Sequence, residues 1–145
     1  MKISTKGRYA LRMMLDLAEH KDSGFIALKD IAARQNISKK YLEQIVPILT
    51  KSKLISANRG FQGGYKLAKP PEKYTVCEIL TLTEGSLAPA ACLETTPNTC
   101  ERCGECVTLP VWQGLYDAIT NYLSGITLSD LLEQSREKYS NDYMI

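Results

Sequence analysis

Between Leu54 and Ala68 two short β-prone runs, Leu54-Ile55-Ser56-Ala57 and Tyr65-Lys66-Leu67-Ala68, flank Asn58-Arg59-Gly60-Phe61-Gln62-Gly63-Gly64. Such runs around a glycine-rich stretch read as a β-hairpin, because glycine reaches turn conformations closed to other residues. Upstream the apolar spacing is helical. From Thr5 to His20 the positions Tyr9, Leu11, Met13, Met14, Leu15, Leu17 and Ala18 fit an amphipathic helix, with Gly24 beyond its end. Leu28 to Arg34 reads as a second helix through Ile31, Ala32 and Ala33. Asn36-Ile37-Ser38 then forms a tight turn. Ser38 is the expected N-cap of a third helix, Lys39 to Lys51, with Leu42, Ile45, Val46 and Leu49 facing inward. Pro47 removes a backbone donor from that helix and is expected to bend it.

Helix, helix, turn, helix, hairpin is the order of a winged helix-turn-helix, so the expected fold is mainly α with a small β-hairpin wing. Charge agrees with that order. Residues 1–70 hold 14 Lys or Arg against 5 Asp or Glu, a net +9, whereas residues 71–145 hold 4 against 11, a net −7. A basic half joined to an acidic half points to a polyanion as the partner of the first. In a winged helix the third helix enters the major groove and the hairpin reaches the backbone or the minor groove. The third helix offers Lys39, Lys40, Tyr41, Glu43 and Gln44. Gln reads adenine, Glu accepts from cytosine, and Lys supplies phosphate affinity. Arg59 suits a narrow, electronegative minor groove. Ser38 and Gly60, beside these residues, complete the candidate DNA-binding set. The alternative is a small helical domain whose Glu43 and Gln44 merely face water.

Lys69-Pro70-Pro71-Glu72 reads as a boundary, since paired prolines stop both helix and sheet. Thr75 and Glu78 form a capping-box pattern for a connecting helix that carries Cys77, expected as a small core residue. Beyond Gly85 comes an irregular stretch with Cys92, Cys100, Cys103 and Cys106, spaced C-x₇-C-x₂-C-x₂-C. Four thiolates in one loop can converge on a metal centre. The last three repeat the C-x₂-C-x₂-C step of iron–sulfur ferredoxins, without the C-x₃-C-P element that follows it there. A structural Cys₄ zinc site and a thiol switch are the alternatives.

No run of 18 apolar residues is present, which excludes a membrane-spanning helix. The start, Met1-Lys2-Ile3-Ser4-Thr5-Lys6, lacks the apolar stretch of a secretory signal, so a cytoplasmic location is expected. Cytosolic thiols more often bind metal than form disulfides. A single His and no visible catalytic constellation argue against an enzyme or a small-molecule substrate.

Several segments resemble the bacterial IscR/NsrR/CymR family of iron–sulfur and cysteine-responsive repressors. These are Met1 to Tyr9, the helix Tyr41-Leu42-Glu43-Gln44-Ile45, and the wing Arg59-Gly60-Phe61-Gln62-Gly63-Gly64-Tyr65. The pattern Trp112, Leu115, Ile119, Tyr122, Leu123, Ile126-Thr127-Leu128 fits as well. The resemblance spans nearly the whole chain and favours the IscR-like branch. It implies a homodimer on a pseudo-palindromic double-stranded operator, with a long C-terminal dimerisation helix, here Leu109 to Ser124. Its stripe would be Trp112, Leu115, Ile119, Tyr122 and Leu123. Thr127 would cap a final helix, with a frayed tail after Arg136.

The family's base-reading positions fall on Lys40, Tyr41, Glu43 and Gln44, its minor-groove arginine on Arg59, and its cluster cysteines on Cys92, Cys100 and Cys106. Two departures stand out. Leu109 occupies the position of the IscR-type ligand His, and Arg8 stands where the NsrR-like branch has an acidic residue. Cys103 is then the natural fourth ligand. The IscR branch implies a 2Fe–2S cluster, while four thiolates also suit 4Fe–4S. A cysteine-metabolism repressor of the CymR type is the alternative within the family; that branch generally lacks this loop cluster and so fits less well, despite a very similar N-terminus. The expected organisation is a DNA-binding domain (1–69), a connecting helix (70–84), a cluster-binding loop (85–108), and the dimerisation and final helices (109–145).

Overall fold

The computed structural model describes residues 2–142. In chain order the elements are α1 (Thr5–Glu19), α2 (Leu28–Gln35), α3 (Lys39–Lys51), β1 (Ile55–Asn58), β2 (Gly64–Leu67), α4 (Val76–Glu84), α5 (Leu109–Ser124) and α6 (Leu128–Asp142). The strands pair antiparallel, from Ile55 opposite Leu67 to Asn58 opposite Gly64. This is the winged-helix order expected from the sequence.

Local chemistry sets the helix ends. The Ser38 hydroxyl accepts from the Tyr41 N–H at 3.0 Å, and Asn36 takes the left-handed conformation (φ 53°) that ends α2. Thr127 and Asp130 cap α6 reciprocally, each backbone N–H donating to the other's side chain at 2.9 and 3.0 Å. At α4 only half of that box forms. The Glu78 N–H donates to Thr75 at 3.1 Å, while the Glu78 carboxylate turns to Lys69 at 3.8 Å. Helix α3 continues through Pro47 without a break. The tail expected to fray beyond Arg136 is instead helical through Asp142, because Leu128 and Leu132 anchor α6 in the core; residues 143–145 lie outside the described residues.

Met13, Met14, Leu17, Ile31, Leu42, Ile45 and Leu49 meet Tyr74, Ile79 and Leu128 in a single core. Helix α6 therefore folds back onto α1. Backbone bonds from Val76 to the Ile126 carbonyl (2.9 Å) and from Leu128 to the Tyr74 carbonyl (3.1 Å) stitch this return. The Pro70-Pro71 joint is packed, with Pro71 buried at the start of a short 3₁₀ turn. That turn delivers Tyr74 into the core, where its hydroxyl accepts from the Ala68 and Lys69 N–H groups at 3.0 Å and donates to the Leu54 carbonyl at 2.6 Å. Burial pushes its phenol above the ordinary value.

Asp16, 1% exposed on α1, receives two bonds from Arg34 (2.7 and 3.0 Å) and one from Gln35 (3.0 Å), so α2 is held to α1 by a paired buried carboxylate. Two readings need correction. Cys77 is only half-buried, at the edge of a small second cluster of Val76, Leu80 and Leu87. The α5 stripe is also split, because Ile119 and Leu123 pack on that cluster while Trp112, Leu115 and Tyr122 stand 40%, 41% and 70% exposed.

Candidate functional site

Helix α3 buries Leu42, Ile45, Val46 and Leu49, which turns Lys39, Lys40, Glu43 and Gln44 outward. Lys39 and Glu43, one turn apart, approach to 4.0 Å as an exposed pair. Such a pair is worth little and opens at small cost when a ligand competes. Tyr41 is half-buried. Its ring meets Tyr9 of α1 edge-on at 5.2 Å between centroids, and the Arg12 guanidinium covers the other ring at 5.3 Å. Arg12 is itself held by Gln35. Tyr9 and Arg12 were not among the candidate residues, since in the sequence Tyr9 reads only as part of the α1 apolar stripe. They fix the direction in which Tyr41 leaves the helix.

The wing is held to the body at its base. Ile26 and Tyr65 exchange backbone hydrogen bonds at 2.8 Å in both directions. A Cβ at Gly64 would strike the Ile26 carbonyl, which accounts for the glycine there. Lys66 lies 4.6 Å from the Phe25 ring centre. At the far end Arg59, Gly60, Phe61 and Gln62 are all exposed. The structure therefore presents the recognition-helix candidates and the wing candidates on solvent-facing surface, with Ser38 occupied as a cap and Tyr41 braced from behind.

The cysteine loop leaves α4 at Gly85 and enters α5 at Leu109. Its upstream end is fastened, for Glu84 accepts from the N–H and the hydroxyl of Ser4, the N-cap of α1, at 3.0 and 2.7 Å. Cys92 lies on a short 3₁₀ turn, beside a pocket shared with Leu109, Gln113 and Tyr116. Cys100 and Cys103 belong to one turn, closed by the Cys103 N–H donating to the Cys100 carbonyl at 3.2 Å. Cys106 precedes α5. The Thr108 hydroxyl 3.4 Å from its sulfur, with the amides that open α5, holds this thiol below the ordinary range. All five cysteines are free. Among the described residues, no three Cys, His, Asp or Glu side chains stand close enough to hold one metal ion. Leu109 and Arg8 bring no thiol, imidazole or carboxylate to the two departures from the resemblance; Arg8 donates to the Thr5 hydroxyl at 3.0 Å on the surface of α1.

The model of the Rrf2 family, described as an iron-dependent transcriptional regulator, matches residues 3–134. The chain belongs to the Rrf2 family. It is 38% identical to the protein rrf2 of Nitratidesulfovibrio vulgaris over 135 residues, which cover 93% of this chain and 89% of that one. Among solved structures, T. potens IscR superposes with a TM-score of 0.77 at 38% identity, over 95% of this chain and 90% of the other. CymR, the global cysteine regulator of B. subtilis, gives 0.75 at 35% identity, over 92% and 98%.

The resemblance read from the helix and wing is thus confirmed. As an Rrf2-family member the chain is a transcriptional regulator and not an enzyme, and the family implies DNA binding. No helix among the described residues is long and apolar enough to cross a membrane.

Proposed function

We propose that this Rrf2-family regulator is a cytoplasmic homodimeric repressor that responds to iron–sulfur, redox or nitric oxide status through its cysteine loop. On DNA, Lys40, Tyr41, Glu43 and Gln44 of α3 read the major groove, with Ser38 and Lys39 at the start of that helix. Arg59 and Gly60 of the wing follow the adjacent minor groove. Support for the dimer comes from α5, a 16-residue helix with no buried residue and with Val111, Trp112, Leu115 and Tyr122 open to solvent. A single chain rarely leaves so much apolar helix uncovered unless a second copy covers it.

The observation that carries the sensing role is the position of four free cysteines in the loop that joins α4 to α5. The α4 end is tied to α1 by the Glu84–Ser4 contact, whereas α5 begins on the surface. The donor set fits a sulfur-ligated cluster, because it offers four unpaired thiols within 15 residues, none of them buried. Cys92, Cys100 and Cys106 would hold it, with Cys103 as the fourth ligand that Leu109 does not supply. When bound, an iron–sulfur cluster of either the 2Fe–2S or the 4Fe–4S type supplies a centre labile to oxidants, nitric oxide and iron shortage. Residues 92–106 must fold inward to gather these thiols, and that ordering changes the span between α4 and α5. A change in span moves operator affinity only by the difference in ligand affinity between the two forms, typically about 1–3 kcal/mol.

The deciding experiment is anaerobic purification followed by visible spectroscopy, iron and sulfide analysis, and operator binding with and without the chromophore. Brown protein with matching iron and sulfide, and an affinity that changes on its loss, is the expected result. Colourless protein that holds zinc, or nothing after reconstitution, overturns the iron–sulfur reading and leaves DNA binding intact. A thiol switch is the second reading, favoured by the Thr108-assisted Cys106 thiol.

A further inference from the structure

The wing tip carries an aromatic side chain that the folded chain does not use. Phe61 is fully exposed, and neither core cluster includes it. Its position is imposed by the turn. Gly60 adopts a φ of +118°, which side chains rarely tolerate, and the Gly63 N–H closes onto the Gly60 carbonyl at 3.0 Å. A Cβ at Gly63 would meet the Asn58 carbonyl oxygen at 2.5 Å. The two glycines close the turn so tightly that the Phe61 side chain at its apex is left in solvent, beside an open groove that runs to Phe25 and Asp30. Turn apices favour glycine, asparagine, aspartate and serine, so a bare phenyl ring is the opposite of what turn chemistry selects.

We propose that Phe61 is an apolar wedge that enters the minor groove beside Arg59 and partly unstacks one base step. The proposal rests on the wing's being a DNA-contacting element, and it deepens that reading by assigning a residue and a deformation. The neighbours supply what such a wedge requires. Arg59 brings a cation to the electronegative groove floor, and Gln62 an amide that reads its edges, while the first 70 residues carry a net +9. Proteins that combine Arg or Gln with an inserted Phe, Leu, Ile, Met or Pro read the minor groove by width and kink the duplex by about 20–90°. A groove about 6 Å wide admits a ring edge-on. The tight turn keeps the ordering cost small, because Phe61 has two side-chain torsions to fix and its backbone is already held. A second protein could also cover a lone phenyl, but Arg59 on one side and the basic α3 face of the same half match a polyanion.

The test uses the full chain, purified anaerobically, and a duplex that this protein enriches from random-sequence DNA. 2-Aminopurine is placed at the steps facing the wing, and bending is read by energy transfer between the duplex ends. The wild-type chain is expected to raise the fluorescence at one step and to bend the duplex. Phe61→Ala is expected to bind about tenfold more weakly, in line with the loss of one base–aromatic stack. It should lose the fluorescence signal and keep an unchanged melting temperature, since the ring touches nothing in the free protein. Phe61→Leu should retain most of the bend, and neither variant should alter the salt dependence of binding. Arg59→Ala should lower that salt slope by about one. If Phe61→Ala binds, bends and fluoresces like the wild type while Arg59→Ala is impaired, the wedge is overturned and the wing assignment stands. Weaker binding with an unchanged 2-aminopurine signal also overturns it. If no duplex is enriched, the DNA-binding reading itself fails and the wedge falls with it.

Discussion

Glu84, the last residue of α4, holds Ser4, the first cap of α1, through two hydrogen bonds to one carboxylate oxygen at 3.0 and 2.7 Å. Between them Gly7 is buried so tightly that a Cβ there would run into that oxygen. The contact makes a prediction whose size depends on background. Gly7→Ala should destabilise the wild-type chain, although alanine in a helix ordinarily gains about 0.5–1 kcal/mol over glycine. In a Glu84→Ala background only a Leu80 methyl remains close, at 3.3 Å, so the penalty of Gly7→Ala should shrink markedly. A urea-denaturation double-mutant cycle reads this directly, and additivity of the two changes would remove the proposed clash.

Tyr74→Phe leaves the Ala68 and Lys69 amides and the Leu54 carbonyl without their shared partner. A loss of about 1–3 kcal/mol in unfolding free energy is expected. Because burial raises the phenol above its ordinary value of about 10, the unfolded chain gives up that proton first. The stability tied to this group is therefore complete below about pH 10 and is lost as the pH climbs through the folded value. Tyr74→Phe should flatten the alkaline limb of the stability–pH curve, and an unchanged limb would assign it to other groups.

Arg34 and Asp16 should respond unequally to substitution. Arg34→Met strands a carboxylate that is 1% exposed, with Gln35 as its remaining hydrogen-bond donor and the His20 ring 3.7 Å away. It should cost about 2–3 kcal/mol, less than a fully buried pair because Arg34 is 37% exposed. Asp16→Asn leaves only that partly solvated cation unpaired and should cost less. Equal losses by thermal denaturation would contradict this asymmetry.

On α5, Trp112 and Leu115 are 40% and 41% exposed while Ile119 and Leu123 pack inward. Leu115→Glu should shift the chain to monomer in sedimentation velocity and keep its helical circular dichroism. Ile119→Glu should lower the melting temperature as well, because it strikes the cluster of Val76, Leu80 and Leu87. A stable Leu115→Glu dimer would place the interface elsewhere.

Among the cysteines, Cys92→Ala or Cys106→Ala should abolish any chromophore-dependent change in operator binding without affecting dimerisation. Cys103→Ser separates nuclearity from binding. With four thiolates required, the iron content and spectrum change; with three sufficient, they persist. Unchanged regulation in both Cys92→Ala and Cys106→Ala would end the sensing mechanism.

Elements governed by near neighbours were legible in the sequence. Ser38, Thr75 and Thr127 cap where expected, and the glycine-rich stretch closes the hairpin, while the Leu109–Ser124 bounds of α5 came from the family resemblance. Contacts between distant positions were not legible. Nothing in the chain near Ser4 announces Glu84, Ile26 gives no sign that it pairs with Tyr65, and Pro70-Pro71 reads as a break although it leads into the core. The α5 stripe looked uniform because periodicity records apolarity and not which partner covers each residue. The DNA candidates Lys39, Lys40, Glu43, Gln44, Arg59 and Gly60 are exposed, which spacing alone could anticipate. Whether four loop thiols converge depends on what they bind, and spacing carries no such information.

Leu128 and Leu132 fill the same core as Met13 and Met14. Helix α6, made after all the other elements described, therefore completes the packing of the first. A nascent chain that has emerged only as far as Lys69 lacks Tyr74, Ile79 and both leucines, and the α1 face they cover is still open to water. The core that α1 shares with α3 is complete only once α6 is out of the exit tunnel, so a message broken before that point yields a short product with an incomplete core.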